Sequence, residues 1–157
     1  MINKKRLVNT FKDLVKIDSI SRDEKKVADY IIKKLKKLKL KYKIDNSNKK
    51  TGSNTGNIIV YKNYNSKQGV YLLSSHMDTV VPGINIKPII KKKYITSAGN
   101  TILGADDKSG LAIIIELLET LVEKKIPHLN IEVAITTCEE IGLLGAKFLD
   151  YKLLKSK

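Results

Sequence analysis

Three short segments set acids, and in one case an imidazole, beside apolar runs: SSHMDTV with His76 and Asp78, ILGADDKSGLA with Asp106 and Asp107, and TTCEEIGLLGA with Glu139 and Glu140. Carboxylates combined with an imidazole suit zinc, manganese or cobalt. A hydrolase built on such a set divides the labour, with some carboxylates binding the ion and one kept free as a base for the attacking water. Each segment also has an ordinary structural reading. A histidine two residues from an aspartate is commonly a satisfied turn, and acids ahead of a helix commonly serve its N-terminus for less than about 1 kcal/mol. That account covers one carboxylate comfortably, whereas two adjacent ones in an apolar frame repel each other unless a cation is present.

Position favours the chemical reading. In extended chain, residues two apart point the same way, so His76 and Asp78 can face one pocket. Asp78 then accepts from one imidazole nitrogen while the other binds a metal. All three clusters fall just after an apolar strand or at the start of the next helix, where open α/β sheets build their sites.

The elements that must position them follow from periodicity. Leu7, Phe11, Leu14 and Val15 recur at helical spacing, and Val27, Ile31, Leu35 and Leu38 line a second helix opened by a capping box of Ser21 and Glu24. Leu40, Tyr42 and Ile44 alternate as a strand, and residues 46–56 read as a loop. Strands are predicted over 57–61, 70–74 and 131–136, a hairpin pairs 86–90 with 93–96, and a buried helix covers 110–122. Leu143, Leu144, Phe148 and Leu149 predict a last helix. Strands alternating with helices give an α/β fold with a mainly parallel central sheet flanked by helices.

Composition bounds the function. The chain has 157 residues and 42% hydrophobic content, enough for one soluble domain with a core. Its net charge of +14 raises the question of nucleic acid, but the densest lysine run, from Lys33 to Lys43, alternates with apolar residues as a solvated face does. With no arginine-rich tract and no zinc-finger spacing, neither nucleic acid nor membrane is an expected partner. The longest apolar run, Leu111 to Leu118, contains Glu116 and falls short of the roughly 20 residues of a membrane span. The N-terminus lacks the apolar stretch of a secretory signal, and the single cysteine, Cys138, fits a reducing compartment, so a cytoplasmic location is expected.

The segments HMDTVVPG, TILGADDKSGLA and EEIGLLGAKFLD, in this order, resemble the dizinc metallopeptidase family that includes peptidase T, carboxypeptidase G and aminoacylases, and look most like its peptidase T-like branch. The likeness covers essentially the whole chain. By that resemblance His76 binds one zinc, Asp106 bridges two, Glu140 binds the second, Asp78 orients His76, and Glu139 is the general base. It also implies a cis peptide bond between Asp106 and Asp107. The implied cofactor is zinc, two ions per complete site, with cobalt or manganese as substitutes. The implied substrate is a short peptide, cleaved in the manner of a tripeptide aminopeptidase.

Carboxypeptidase or N-acyl-amino-acid deacylase activity is the alternative within the family, and a non-catalytic binding protein on a truncated peptidase fold the alternative outside it. Family members are much longer than this chain. They carry a lid or dimerisation domain, a further acidic ligand and a late histidine ligand. Residues 1–157 are therefore expected to be the N-terminal portion of a catalytic domain, weakly active or inactive alone, with an open apolar edge, from a full-length homodimer. His128 precedes the last strand by too much chain to replace the late histidine and is expected to be a loop residue.

Overall fold

The structure, a computed structural model, describes residues 2–63 and 69–156. Helix α1 (Lys4–Val15) opens on Asn3, whose side chain accepts the Arg6 amide. Helix α2 (Lys25–Lys37) follows, then β1 (Lys41–Ile44), a single turn α3 (Asn48–Thr51), β2 (Ile58–Lys62) and β3 (Val70–His76). A two-stranded hairpin, β4 (Pro88–Ile90) and β5 (Ile95–Ser97), leads to the long helix α4 (Ala105–Lys124), then β6 (Asn130–Thr136) and the short turn α5 (Leu144–Lys147). A 3₁₀ turn at Tyr151–Leu153 comes last.

The main sheet has the order β1-β2-β6-β3. The α/β class and the flanking helices are as the sequence predicts. The sheet, however, is mixed: β3 runs parallel to β6, while β1–β2 and β2–β6 are antiparallel. Hydrophobic alternation reports which face a residue takes but not the sense of its neighbour, so the mainly parallel expectation needs this correction.

One face of the sheet carries the core. Ile58 and Val60 of β2 stand opposite Ile135 and Val133 of β6, and all four are buried with Leu14, Val27, Ile31, Leu35, Leu111, Ile115 and Leu118 from the three long helices. Burying a Leu or Ile side chain of this kind contributes roughly 1.5–3 kcal/mol. The opposite face, with Ile59 and Ala134 also buried, is where the C-terminal segment bonds. Tyr61 donates to the Leu153 carbonyl, and the Glu132 carboxylate accepts the Lys155 and Ser156 amides.

Two cationic ties fix the helices to one another. Arg6 of α1 reaches Glu116 at 2.6 Å and Glu119 at 2.8 Å on α4, and also pairs with Glu123. Lys108, fully buried near the start of α4, donates at 3.1 Å to the carbonyls of Leu14 and Ile17, satisfying acceptors at the end of α1. Among the described residues no helix is long and apolar enough to cross a membrane.

Two local expectations need correction. The predicted Ser21–Glu24 capping box does not form: both side chains bond elsewhere, Glu24 itself makes no cap bond, and the first α2 amide, that of Lys25, donates instead to the Asn54 side chain at 2.8 Å. The helix predicted after Glu140 is only one turn, since residues 139–143 form a turn ending on Leu143 in the left-handed region, at φ +58°.

Candidate metal centre

The parallel register of β3 and β6 pairs His76 with Thr136, so the two acidic segments leave the sheet side by side at the carboxyl ends of their strands. The third segment is brought in by α4. Asp107 is the residue that caps its regular part, accepting the Gly110 amide at 2.9 Å and the Ser75 hydroxyl at 2.7 Å. A Cβ at Gly110 would lie 2.4 Å from the Asp107 carboxylate, so only glycine admits this cap. The Asp106–Asp107 peptide bond is cis, as the resemblance implies. Asp106 is left out of the cap, and its carboxylate lies 3.1 Å from His76 Nε2 with its side chain 86% exposed.

His76 is buried and held from behind. Its Nδ1 lies 2.9 Å from the Asp78 carbonyl and 3.4 Å from the Asp78 carboxylate, so the main-chain oxygen makes the closer contact and the carboxylate a second one. Its Nε2 faces Asp106 and, at 3.7 Å, a carboxylate oxygen of Glu139. Ligand atoms of His76, Asp106 and Glu140 all lie within 4.8 Å of one another. One imidazole nitrogen and two carboxylates in this span are a donor set that fits a zinc-class divalent ion.

The charges respond to this crowding. Burial by itself lowers the His76 pKa, but hydrogen bonds and charges from Asp78, Asp106 and Glu139 outweigh it and raise it to about 9. Burial raises the Glu140 carboxyl above the usual carboxylate range, His76 opposes that rise, and the nearby charges of Asp106, Glu139 and Asp78 add to it. A cation among these groups relieves that repulsion.

The loop bearing Glu139 and Glu140 is held by other buried side chains. Four successive amides each donate to a side-chain oxygen: Thr137 to Asn57 at 3.0 Å, Cys138 to Glu24 at 2.9 Å, Glu139 to Asp78 at 2.9 Å and Glu140 to Asp78 at 3.1 Å. Asn57 also donates to the Gly145 carbonyl at the far end of the loop and to Asp45. Asp78, fully buried, takes a further bond from Ser21 at 2.6 Å. Burial pushes its carboxyl up, but the donors from His76, Ser21 and the two amides hold it below its ordinary value.

Thus the structure brings together the five residues to which the resemblance gives a role, His76, Asp78, Asp106, Glu139 and Glu140, while Asp107 caps α4. Ser21, Glu24 and Asn57 were missed, the first two because their local spacing reads as a helix cap and the last because nothing in the sequence marks it. His128 lies beyond the start of β6, whose first residue pairs with Val70 at the other end of β3 from His76.

Residues 57–156 match the model of peptidase family M28. A tripeptidase from Staphylococcus aureus superposes with a TM-score of 0.94 at 46% identity, covering 99% of this chain and 42% of that one. The aminopeptidase PepT from Bacillus cereus superposes at 0.93, with the same identity and coverage. The uncharacterized protein YqjE of Bacillus subtilis is 41% identical over 154 residues, which are 98% of this chain and 42% of its own length. The chain therefore spans less than half the length of these relatives.

Proposed function

The chain belongs to peptidase family M28, and from that premise we propose that it forms the metal-holding and proton-accepting portion of a peptidase T-like catalytic domain acting on short peptides in the cytoplasm. The observation that carries this is the grouping of His76, Asp106 and Glu140 within 4.8 Å, with Glu139 beside it and a carboxylate oxygen 3.7 Å from His76 Nε2. His76 and Glu140 would each hold an ion, and Asp106, the most exposed of the three, would be shared where two ions bind. Zinc is the proposed metal, with cobalt or manganese as substitutes. A bound ion of this class supplies Lewis acidity at the peptide carbonyl.

The remaining steps belong to the chain. Glu139 takes a proton from the water whose oxygen attacks the peptide carbonyl carbon, and returns it to the amine as the C–N bond breaks. Asp78 holds two parts in register, because the same carboxylate that lies against His76 Nδ1 accepts the amides of Glu139 and Glu140. The base and the ligands are thereby fixed to one buried anion.

Titration of zinc into the chain, beside His76→Ala, tests the assignment. Uptake that His76→Ala abolishes or weakens at least tenfold is expected, and no uptake, or equal uptake by the variant, overturns it. The proposal also holds that the chain alone turns over a tripeptide weakly or not at all, a reading supported by its covering 42% of the solved tripeptidase chain. Robust turnover by the purified chain overturns that part.

A further inference from the structure

We propose that Glu24 is a positioning residue for the Glu139–Glu140 pair, acting through the main chain of Cys138. Glu24 is fully buried, yet among the described residues it forms no ion pair with a lysine or arginine. A carboxylate taken out of water without a cation must be held by donors, and here they are specific. One oxygen accepts the amides of Arg22 at 3.0 Å and Cys138 at 2.9 Å, with the Cys138 thiol at 3.4 Å, and the other accepts the Ser53 hydroxyl at 2.5 Å. None of these donors is an α2 amide, so the side chain does not cap the helix that follows it.

What it holds is an unusual turn. Cys138 has φ +52°, in the left-handed region that residues bearing a Cβ seldom adopt, and such a conformation persists where the surroundings over-determine it. Here the surroundings are the Glu24 bond to the Cys138 amide and the Asp78 bonds to the next two. This turn at the end of β6 lets the amides of Glu139 and Glu140 reach one carboxylate. Glu24 thus sets the direction in which the base and the proposed ligand leave the sheet, though neither side chain touches it in any recorded bond.

The inference rests on the metal-site reading only for its second readout. The first is amide hydrogen exchange, measured residue by residue on the whole chain, for the wild type, Glu24→Ala and Glu24→Gln. Glutamine keeps an oxygen for the Cys138 amide and offers Ser53 a donor instead of an acceptor. Glu24→Ala is expected to speed exchange at Cys138, Glu139 and Glu140 at least tenfold while β2 and β6 stay protected, with Glu24→Gln close to wild type. The second readout is cobalt titration followed by visible absorption, in which Glu24→Ala is expected to bind about tenfold more weakly and Glu24→Gln to recover.

Unchanged exchange at these three amides in Glu24→Ala overturns the proposal. So does a loss of protection spread evenly through the sheet, which marks a merely structural role, or a failure of glutamine to rescue. A wild-type chain that takes up no cobalt defeats the metal-site reading instead, and the exchange experiment still decides this one.

Discussion

The Asp78 carboxylate accepts the Glu139 amide at 2.9 Å across 61 residues of sequence, and its other oxygen takes the Glu140 amide at 3.1 Å. A single buried anion therefore governs both the imidazole end and the carboxylate end of the site. Replacing it by asparagine leaves one oxygen for two amides and puts an N–H₂ where an acceptor stood. Asp78→Asn is expected to lower stability by about 1–3 kcal/mol, read from urea unfolding, and to weaken zinc binding 10–100-fold. A variant with wild-type affinity would show that Asp78 does not organise the site.

On the proposed reading Glu139, with a carboxylate oxygen 3.7 Å from His76 Nε2, moves protons and does not hold an ion. Glu139→Gln keeps the size and removes the base, so tripeptide hydrolysis by the longest active form carrying this chain is expected to fall about 10²–10⁴-fold. Zinc affinity, measured by calorimetry, is expected to change less than about threefold. A large loss of affinity would move Glu139 into the ligand set.

The metal-free chain has a defined pH response. His76 is raised to about 9, so it contributes stability that is complete below its ordinary value of about 6.5 and lost as pH climbs through about 9. Asp78 is lowered, so its contribution is present above the ordinary aspartate value of about 4 and lost as pH falls through its lower folded value. Lys108, pushed down by burial to about 8, works against His76, adding stability as pH rises from about 8. The raised Glu140 carboxyl gives up stability as pH rises above the ordinary glutamate value. Thermal melts should therefore decline there and fall further above about pH 6.5, and His76→Ala should remove the second part. A second part that survives in His76→Ala assigns it to another group.

Gly145 marks where the loop closes on itself. A Cβ there would lie 2.1 Å from the Thr137 carbonyl oxygen and 2.8 Å from the Asn57 side chain. Gly145→Ala must push the loop off its Asn57 clamp, and a loss of about 1–3 kcal/mol is expected from the urea midpoint. An unchanged midpoint would mean that the loop rearranges without cost.

The parts legible in the sequence were those written in local spacing. Leu14, Val27, Ile31 and Leu35 face the core as their helical period requires, and His76, Asp106, Glu139 and Glu140 meet because each ends or follows a strand or opens a helix. What stayed hidden depends on partners distant in sequence. Ser21 and Glu24 carry the spacing of a helix cap, but Asp78 and Cys138, more than fifty residues away, supply the competing bonds. Asn57 sits at the edge of a strand like any polar residue, and only the fold turns it toward Thr137 and Gly145. Strand sense was equally unreadable, since the same alternation serves parallel and antiparallel neighbours.

The flush parallel register of β3 and β6 also sets an order in time. As the chain is made, His76 and Asp106 emerge well before Glu139 and Glu140, and the loop that carries the acids has no Asp78 to bond until β6 lies beside β3. The nascent protein can assemble the three-residue grouping only once β6 has paired with β3. A metal captured there would act as a latch on the β3–β6 pair, drawing the folding equilibrium toward the one register in which the two strand ends meet.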